Sequence, residues 1–266
     1  MKRILFQSDD YGITQAVSEG ILRGIREGII RNTGLFVNMD CSAWAAEKIK
    51  DVDVCLGVDI NYVAGKPVSH PAQVPHLVKE DGRFYSSGEQ NRRNQLVRME
   101  GLMSIYEEDP YPYEEILLET ENQVKRFREL TGKMPEYLHP HSLITPNTDR
   151  AAREIAAKYG IYHTMDMLAG KVCRELPGAI MNQKGLGLEA QLQPPVEQNL
   201  LEHALPSMQD NETAYYIFHC GYVDADLFRV SSLTVRRAID LDAALSSRIK
   251  DYIRKHQIEL ITYREL

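Results

Sequence analysis

The chain has 266 residues, with 31 Lys and Arg against 38 Asp and Glu, and its pI is near 5.7. A net charge of −7 gains nothing from counterion release, which excludes nucleic acid as a main partner, and 43% hydrophobic residues exclude a disordered chain. Four scattered cysteines without a Cys-x-x-Cys pair exclude a zinc knuckle and a dense disulfide framework.

Residues 4–6 read as a strand that stops at Gln7-Ser8-Asp9-Asp10-Tyr11-Gly12. Thr14 is placed to cap the next segment, where Val17, Ile21, Ile25 and Ile29 recur at four-residue spacing on one helical face. Strand 34–39, a short helix over 44–50 and strand 54–63 follow. Residues 64–95 carry Gly65, Pro67, Pro71, Pro75, Gly82 and Gly88 and read as an irregular insertion. The pattern predicts a helix over 113–131 closed by Gly132, a strand over 137–143 and a helix over 149–159. Further strands are expected at 162–165, 179–182, 214–220 and 258–263, with one long amphipathic helix over 233–256. Strand–helix alternation in seven or eight units, with no linker, predicts an α/β fold. The expected form is a single TIM-like (β/α) barrel domain over 1–266, parallel strands surrounded by helices. Acids at the ninth and tenth positions interrupt any signal-like run, and no stretch approaches the length of a membrane span, so a cytoplasmic location is expected.

Acids and histidines cluster at the ends of the predicted strands, where a parallel barrel gathers side chains at one mouth. Asp9 and Asp10 end the first strand, Asp59 lies in the third, His139 and His141 flank Pro140, and His219 ends strand 214–220. Asp9 and Asp10 point apart in an extended chain, so one can ligate a metal while the other faces substrate; the alternative is a pair of turn or capping acids. His139 and His141 share one side of an extended strand and suit a divalent metal such as zinc. His219 reads either as a catalytic acid or as a buried ring. His70, His76, His163, His203 and His256 fall on loops or helix faces, where solvated roles dominate. Arg236, Arg237, Arg248, Lys250, Arg254 and Lys255 read as an ordinary solvated helix face. Trp44, Tyr11, Tyr62, Tyr85 and Tyr222 suit either stacking on sugars or packing at a rim.

Taken in order, several motifs resemble the YdjC-like family of carbohydrate deacetylases, which includes chito-oligosaccharide deacetylases. They are Ser8-Asp9-Asp10-Tyr11-Gly12 (A-D-D-F-G in the family), Gly57-Val58-Asp59-Ile60-Asn61 (G-L-H-L-N) and Gly65-Lys66-Pro67-Val68. Residues 127–135, 138–141 (D-S-H-x-H), Phe218-His219-Cys220-Gly221-Tyr222 (H-P-G-Y) and Leu260-Ile261-Thr262-Tyr263 continue the series. The resemblance implies a distorted TIM-like barrel holding a divalent metal, with Asp9 as general base, Asp10 and His141 as ligands, and Asp59 in a further ligand position. His219 would contact substrate or transition state.

Two departures bear on the metal. Asp59 stands where the family has a ligand histidine, and a carboxylate favours harder ions, so Mg2+ is expected before Zn2+ or Mn2+. His139 stands at the aspartate of D-S-H-x-H and Leu143 at its second histidine; His139 is thus a substitute ligand, a group behind the ligands, or neither. The expected activity is metal-dependent hydrolysis of the N-acetyl group of an amino sugar or chito-oligosaccharide, with His219 or His139 protonating the amine. Alternatives are a catalytically altered or inactive sugar-binding member, or a metal-dependent phosphoesterase or isomerase. The expected partner is a small sugar, with neither nucleic acid nor membrane; a homodimer is left open.

Overall fold

The computed structural model describes residues 1–178, 188–192 and 195–266. In chain order the main elements are β1 (Arg3–Tyr11), α1 (Gln15–Arg26), β2 (Asn32–Leu35), α2 (Ser42–Ile49), β3 (Cys55–Ile60) and α3 (Ser87–Arg93). Then come β4 (Leu96–Glu100), β5 (Met103–Tyr106), α4 (Tyr113–Thr131), β6 (Tyr137–Pro140), α5 (Pro146–Tyr159) and β7 (Tyr162–His163). Strands β8 (Arg174–Glu175), β9 (Thr213–Phe218) and β10 (Glu259–Ile261) complete the set, with helices Val235–Leu245 and Ser247–Lys255 between the last two. The strand expected at 179–182 lies outside the described residues. The chain resolves into two compact units, 1–33 with 48–55 and 170–266, and 34–47 with 56–169.

In the first unit β1 lies between two parallel partners. It pairs with β9 from Arg3↔Thr213 to Ser8↔Phe218 and with β10 from Arg3↔Glu259 to Leu5↔Ile261, while β8 pairs with β9. Parallel strands covered on both faces read as unbroken apolar runs, and Ile4, Leu5 and Phe6 are fully buried. The strand runs on through Gln7, Ser8, Asp9 and Asp10, whose polarity suggested an earlier stop. Thr14 caps α1 as expected, its hydroxyl accepting from Val17 N at 3.2 Å. Gly20 in α1 permits close packing: a Cβ there would lie 2.7 Å from the Cα of Gly221. The segment after β9 therefore docks directly onto α1. Residues 233–256 form two helices rather than one. Ser246, at φ −55° and ψ 125°, leaves helical geometry, and its hydroxyl accepts from Ile249 N at 3.2 Å to start the second.

In the second unit β3 pairs in parallel with β6 (Val58↔Leu138, Asp59↔His139, Ile60↔Pro140), and β6 with β7. α4 has the bounds its sequence predicts, ending at Gly132 with φ 76°. α5 begins three residues early, at Pro146, because Thr145 forms a capping box with Thr148. The insertion opens irregularly, with one 3-10 turn at Pro71–Gln73, before α3 and an antiparallel β4–β5 hairpin that the composition did not announce. Its start is tied to α4 by the buried Glu119, whose carboxylate accepts from Val68 N and Ser69 N, each at 2.9 Å. Burial pushes the Glu119 carboxyl above the usual carboxylate range.

Candidate active site

The first unit gathers the acids of β1 with the residues after β9. Asp9 and Asp10 are both buried and meet different partners; Asp10 adopts φ 72°, a left-handed conformation that aspartate tolerates better than most residues. Asp9 Oδ2 lies 3.7 Å from His219 Nε2. Its other oxygen, Oδ1, accepts from the Gln7 amide. Asp10 Oδ2 instead receives Arg237 Nη2 at 2.5 Å.

Helix Val235–Leu245 supplies the rest of this cluster. The His219 backbone N–H donates to Asp240 Oδ2 at 2.8 Å, and Arg236 Nε donates to Asp240 Oδ1 at 2.8 Å. Cys220 N donates to the Ser8 hydroxyl at 3.0 Å, and Gly221 N to the Arg237 carbonyl at 3.1 Å. Arg236 and Arg237 were expected on a solvated face, yet they are 3% and 1% exposed. The i,i+4 acid Asp240 was the available signal for Arg236; nothing local marked Arg237, whose partner is 227 residues away. Burial pushes the Cys220 thiol well above its ordinary range, so it is not a thiolate nucleophile at neutral pH.

The second unit places Asp59 and His139 in direct register on neighbouring strands, so they share a face. Asp59 fits only because residue 34 is glycine: a Cβ there would lie 1.6 Å from Asp59 Oδ1. His139 Nδ1 meets Thr164 Oγ1 at 2.8 Å, which fixes its ring. β6 ends at Pro140, and Ser142 just beyond it adopts φ 66°. The His141 ring packs edge-on to Phe36 at 4.7 Å. It lines a small pocket with Leu138, Leu143, Thr148, Asp149 and His163.

His163, expected on a solvated surface, lies in β7 with neither ring nitrogen hydrogen bonded among the described residues. Burial pushes its pKa down to about 4, against a weaker upward pull from Asp149. Of the tyrosines considered for sugar stacking, Tyr11 and Tyr62 are buried, whereas Tyr222 is 38% exposed.

Among the described residues, no group of three or more His, Cys, Asp or Glu side chains is arranged to hold a metal ion. Asp59 and His139 are two donors of the right chemistry, but a guanidinium already takes Asp10 Oδ2.

Comparison with known proteins gives a consistent result. A family model described as YdjC-like protein matches residues 3–255. Carbohydrate deacetylase 2 of Listeria innocua serovar 6a is 26% identical over 277 residues, covering 99% of this chain and 98% of its own. A carbohydrate deacetylase of Vibrio vulnificus is 25% identical over 271 residues, covering 99% and 96%. A solved structure from Enterococcus faecalis V583, provisionally assigned to cellobiose-phosphate cleavage, superposes with TM-score 0.76 at 20% identity, covering 100% of this chain and 99% of that one. At that identity the likeness establishes the fold alone.

Proposed function

Because the chain belongs to the YdjC-like family, we propose that it is a carbohydrate deacetylase, hydrolysing the N-acetyl group of an amino sugar or chito-oligosaccharide in the cytoplasm. The observation that carries the chemistry is the buried Asp9–His219 pair, 3.7 Å apart. The names of the Listeria and Vibrio relatives support the substrate class.

Amide hydrolysis needs a proton removed from water and a proton delivered to the departing nitrogen. Asp9 takes the first as the water oxygen attacks the acetyl carbonyl. Protonated His219 gives the second as the C–N bond breaks, leaving acetate and the free amine. Transfer of the proton from Asp9 to His219, side by side, resets the pair. Arg237 neutralises Asp10, so the adjacent carboxylate of Asp9 does not face an unpaired like charge. Asp240 holds the His219 backbone and thereby the imidazole.

The test is release of acetate from N-acetylglucosamine disaccharide, run beside release of phosphate from phosphorylated sugars. Parallel arms with Mg2+, Mn2+, Zn2+ and EDTA decide the cofactor, for which Mg2+ is the family-derived proposal. Acetate release with no phosphate supports the reading; phosphate release alone gives the active site to a phosphoesterase. A second reading, a sugar-binding member without turnover, is favoured by the guanidinium on Asp10. Calorimetric binding of the disaccharide with no acetate formed would establish it.

A further inference from the structure

We propose that Gln7 and Tyr263 are positioning residues for Asp9, which ties segment 259–263 to the active site. The motif Leu260-Ile261-Thr262-Tyr263 contributes β10, whose register with β1 ends at Leu5↔Ile261. Beyond that point the backbone turns. Thr262 caps a 3-10 turn, Tyr263–Glu265, through a capping box with Glu265, and the turn leaves the Tyr263 side chain buried. Its backbone is pinned as well: Tyr263 N donates to Asn32 Oδ1 at 3.1 Å, while Asn32 Nδ2 donates to the carbonyls of Phe6 at 3.0 Å and Ile261 at 3.3 Å.

From there a chain of hydrogen bonds leads to the catalytic base. The Tyr263 hydroxyl donates to Gln7 Oε1 at 2.5 Å, and Gln7 Nε2 donates to Asp9 Oδ1. Gln7 and Asp9 are two residues apart on β1 and so share a face. The direction of the chain follows from chemistry. A carboxylate only accepts, so the Gln7 NH2 must face Asp9, its oxygen must face Tyr263, and the phenol must donate. Reversing the amide would set two acceptors against each other in a buried site. With Oδ1 held in this way, Oδ2 is the oxygen left towards His219 Nε2 at 3.7 Å. Gln7 is fully buried, so its contacts do not exchange with solvent.

The proposal rests on the reading of Asp9 as the base, and its test separates the two. Tyr263→Phe removes one hydroxyl. Gln7→Met keeps length and burial but removes the amide. Each is expected to lower kcat for acetate release about tenfold with KM within about twofold of the parent, and the double variant to be no worse than Gln7→Met alone, as for residues acting in series. In an Asp9→Asn background both substitutions should become neutral. Effects confined to KM, multiplying in the double variant, or undiminished without Asp9 would overturn the proposal. A crystal structure of Tyr263→Phe reads the geometry without turnover. It is expected to show the Gln7 amide rotated off Asp9 and Oδ2 displaced from His219; an unmoved Asp9 carboxylate refutes the positioning role. Should the parent protein release no acetate, the deacetylase reading fails while this crystallographic arm still decides the positioning claim.

Discussion

The two units handle buried ionisable groups in opposite ways. In the first, Asp10 carries Arg237, Asp240 carries Arg236 and Asp9 faces His219, each with a named partner in reach. In the second, burial itself is the dominant influence. It drives the His163 pKa down and the Glu119 pKa up, so both groups lean towards their neutral forms. The contrast separates two jobs. The Asp9–His219 pair exchanges protons in the proposed reaction and the two arginines compensate buried carboxylates, whereas groups neutralised by burial make stability depend on pH.

The sharpest way to break this contrast is by activity. Asp9→Asn should lower acetate turnover by about a thousandfold, whereas Asp149→Asn in the second unit should leave kcat within about twofold; comparable losses would remove the distinction. Arg237→Ala comes next, since it strands Asp10 in a buried site. It should cost about 3–5 kcal/mol in urea unfolding, and a paired Asp10→Asn/Arg237→Gln variant should recover most of it. The matching deletion in the second unit, Arg153→Ala beside Asp149, removes a half-exposed ion pair and should cost less than about 1 kcal/mol.

A pH titration of stability isolates His163. Its folded pKa of about 4 lies below the unfolded value of 6.5, so between those limits the unfolded chain binds more protons. The contribution of a neutral His163 is therefore complete above pH 6.5 and is lost as pH falls towards 4, by about 2 kcal/mol between pH 7.5 and 5. Glu119, shifted upward, works in the opposite sense, favouring the folded state as pH falls. His163→Phe should flatten the acid-side loss of stability, and an unchanged pH slope would show that the ring is solvated. The smallest expected effect is capping. Ser246→Ala in the first unit and Thr145→Ala in the second should each cost about 1 kcal/mol, read as similar small decreases in melting temperature.

Much of the local structure was readable before folding. α4 and the Thr14 cap follow from periodicity and end signals, and parallel strand–helix alternation from the spacing of apolar runs. Failures occurred where tertiary partners decide. β1 continues through Gln7, Ser8, Asp9 and Asp10 because each finds a buried partner far along the chain, whereas a local reading sees only four polar residues. Arg236 and Arg237 looked like solvated charge for the same reason. His139 and Asp59 come into register on neighbouring strands, a pairing that only the sheet creates. His163 gave no local signal, since its burial depends on the pocket formed with α5.

One measurement bears most directly on the central claim that Asp9 and His219 form a hydrolytic acid–base pair. Acetate should accumulate stoichiometrically with free amine when the parent protein is incubated with N-acetylglucosamine disaccharide, and Asp9→Asn, still folded by thermal melting, should lose about three orders of magnitude of that rate. Acetate release that persists at the parental rate in Asp9→Asn would contradict it.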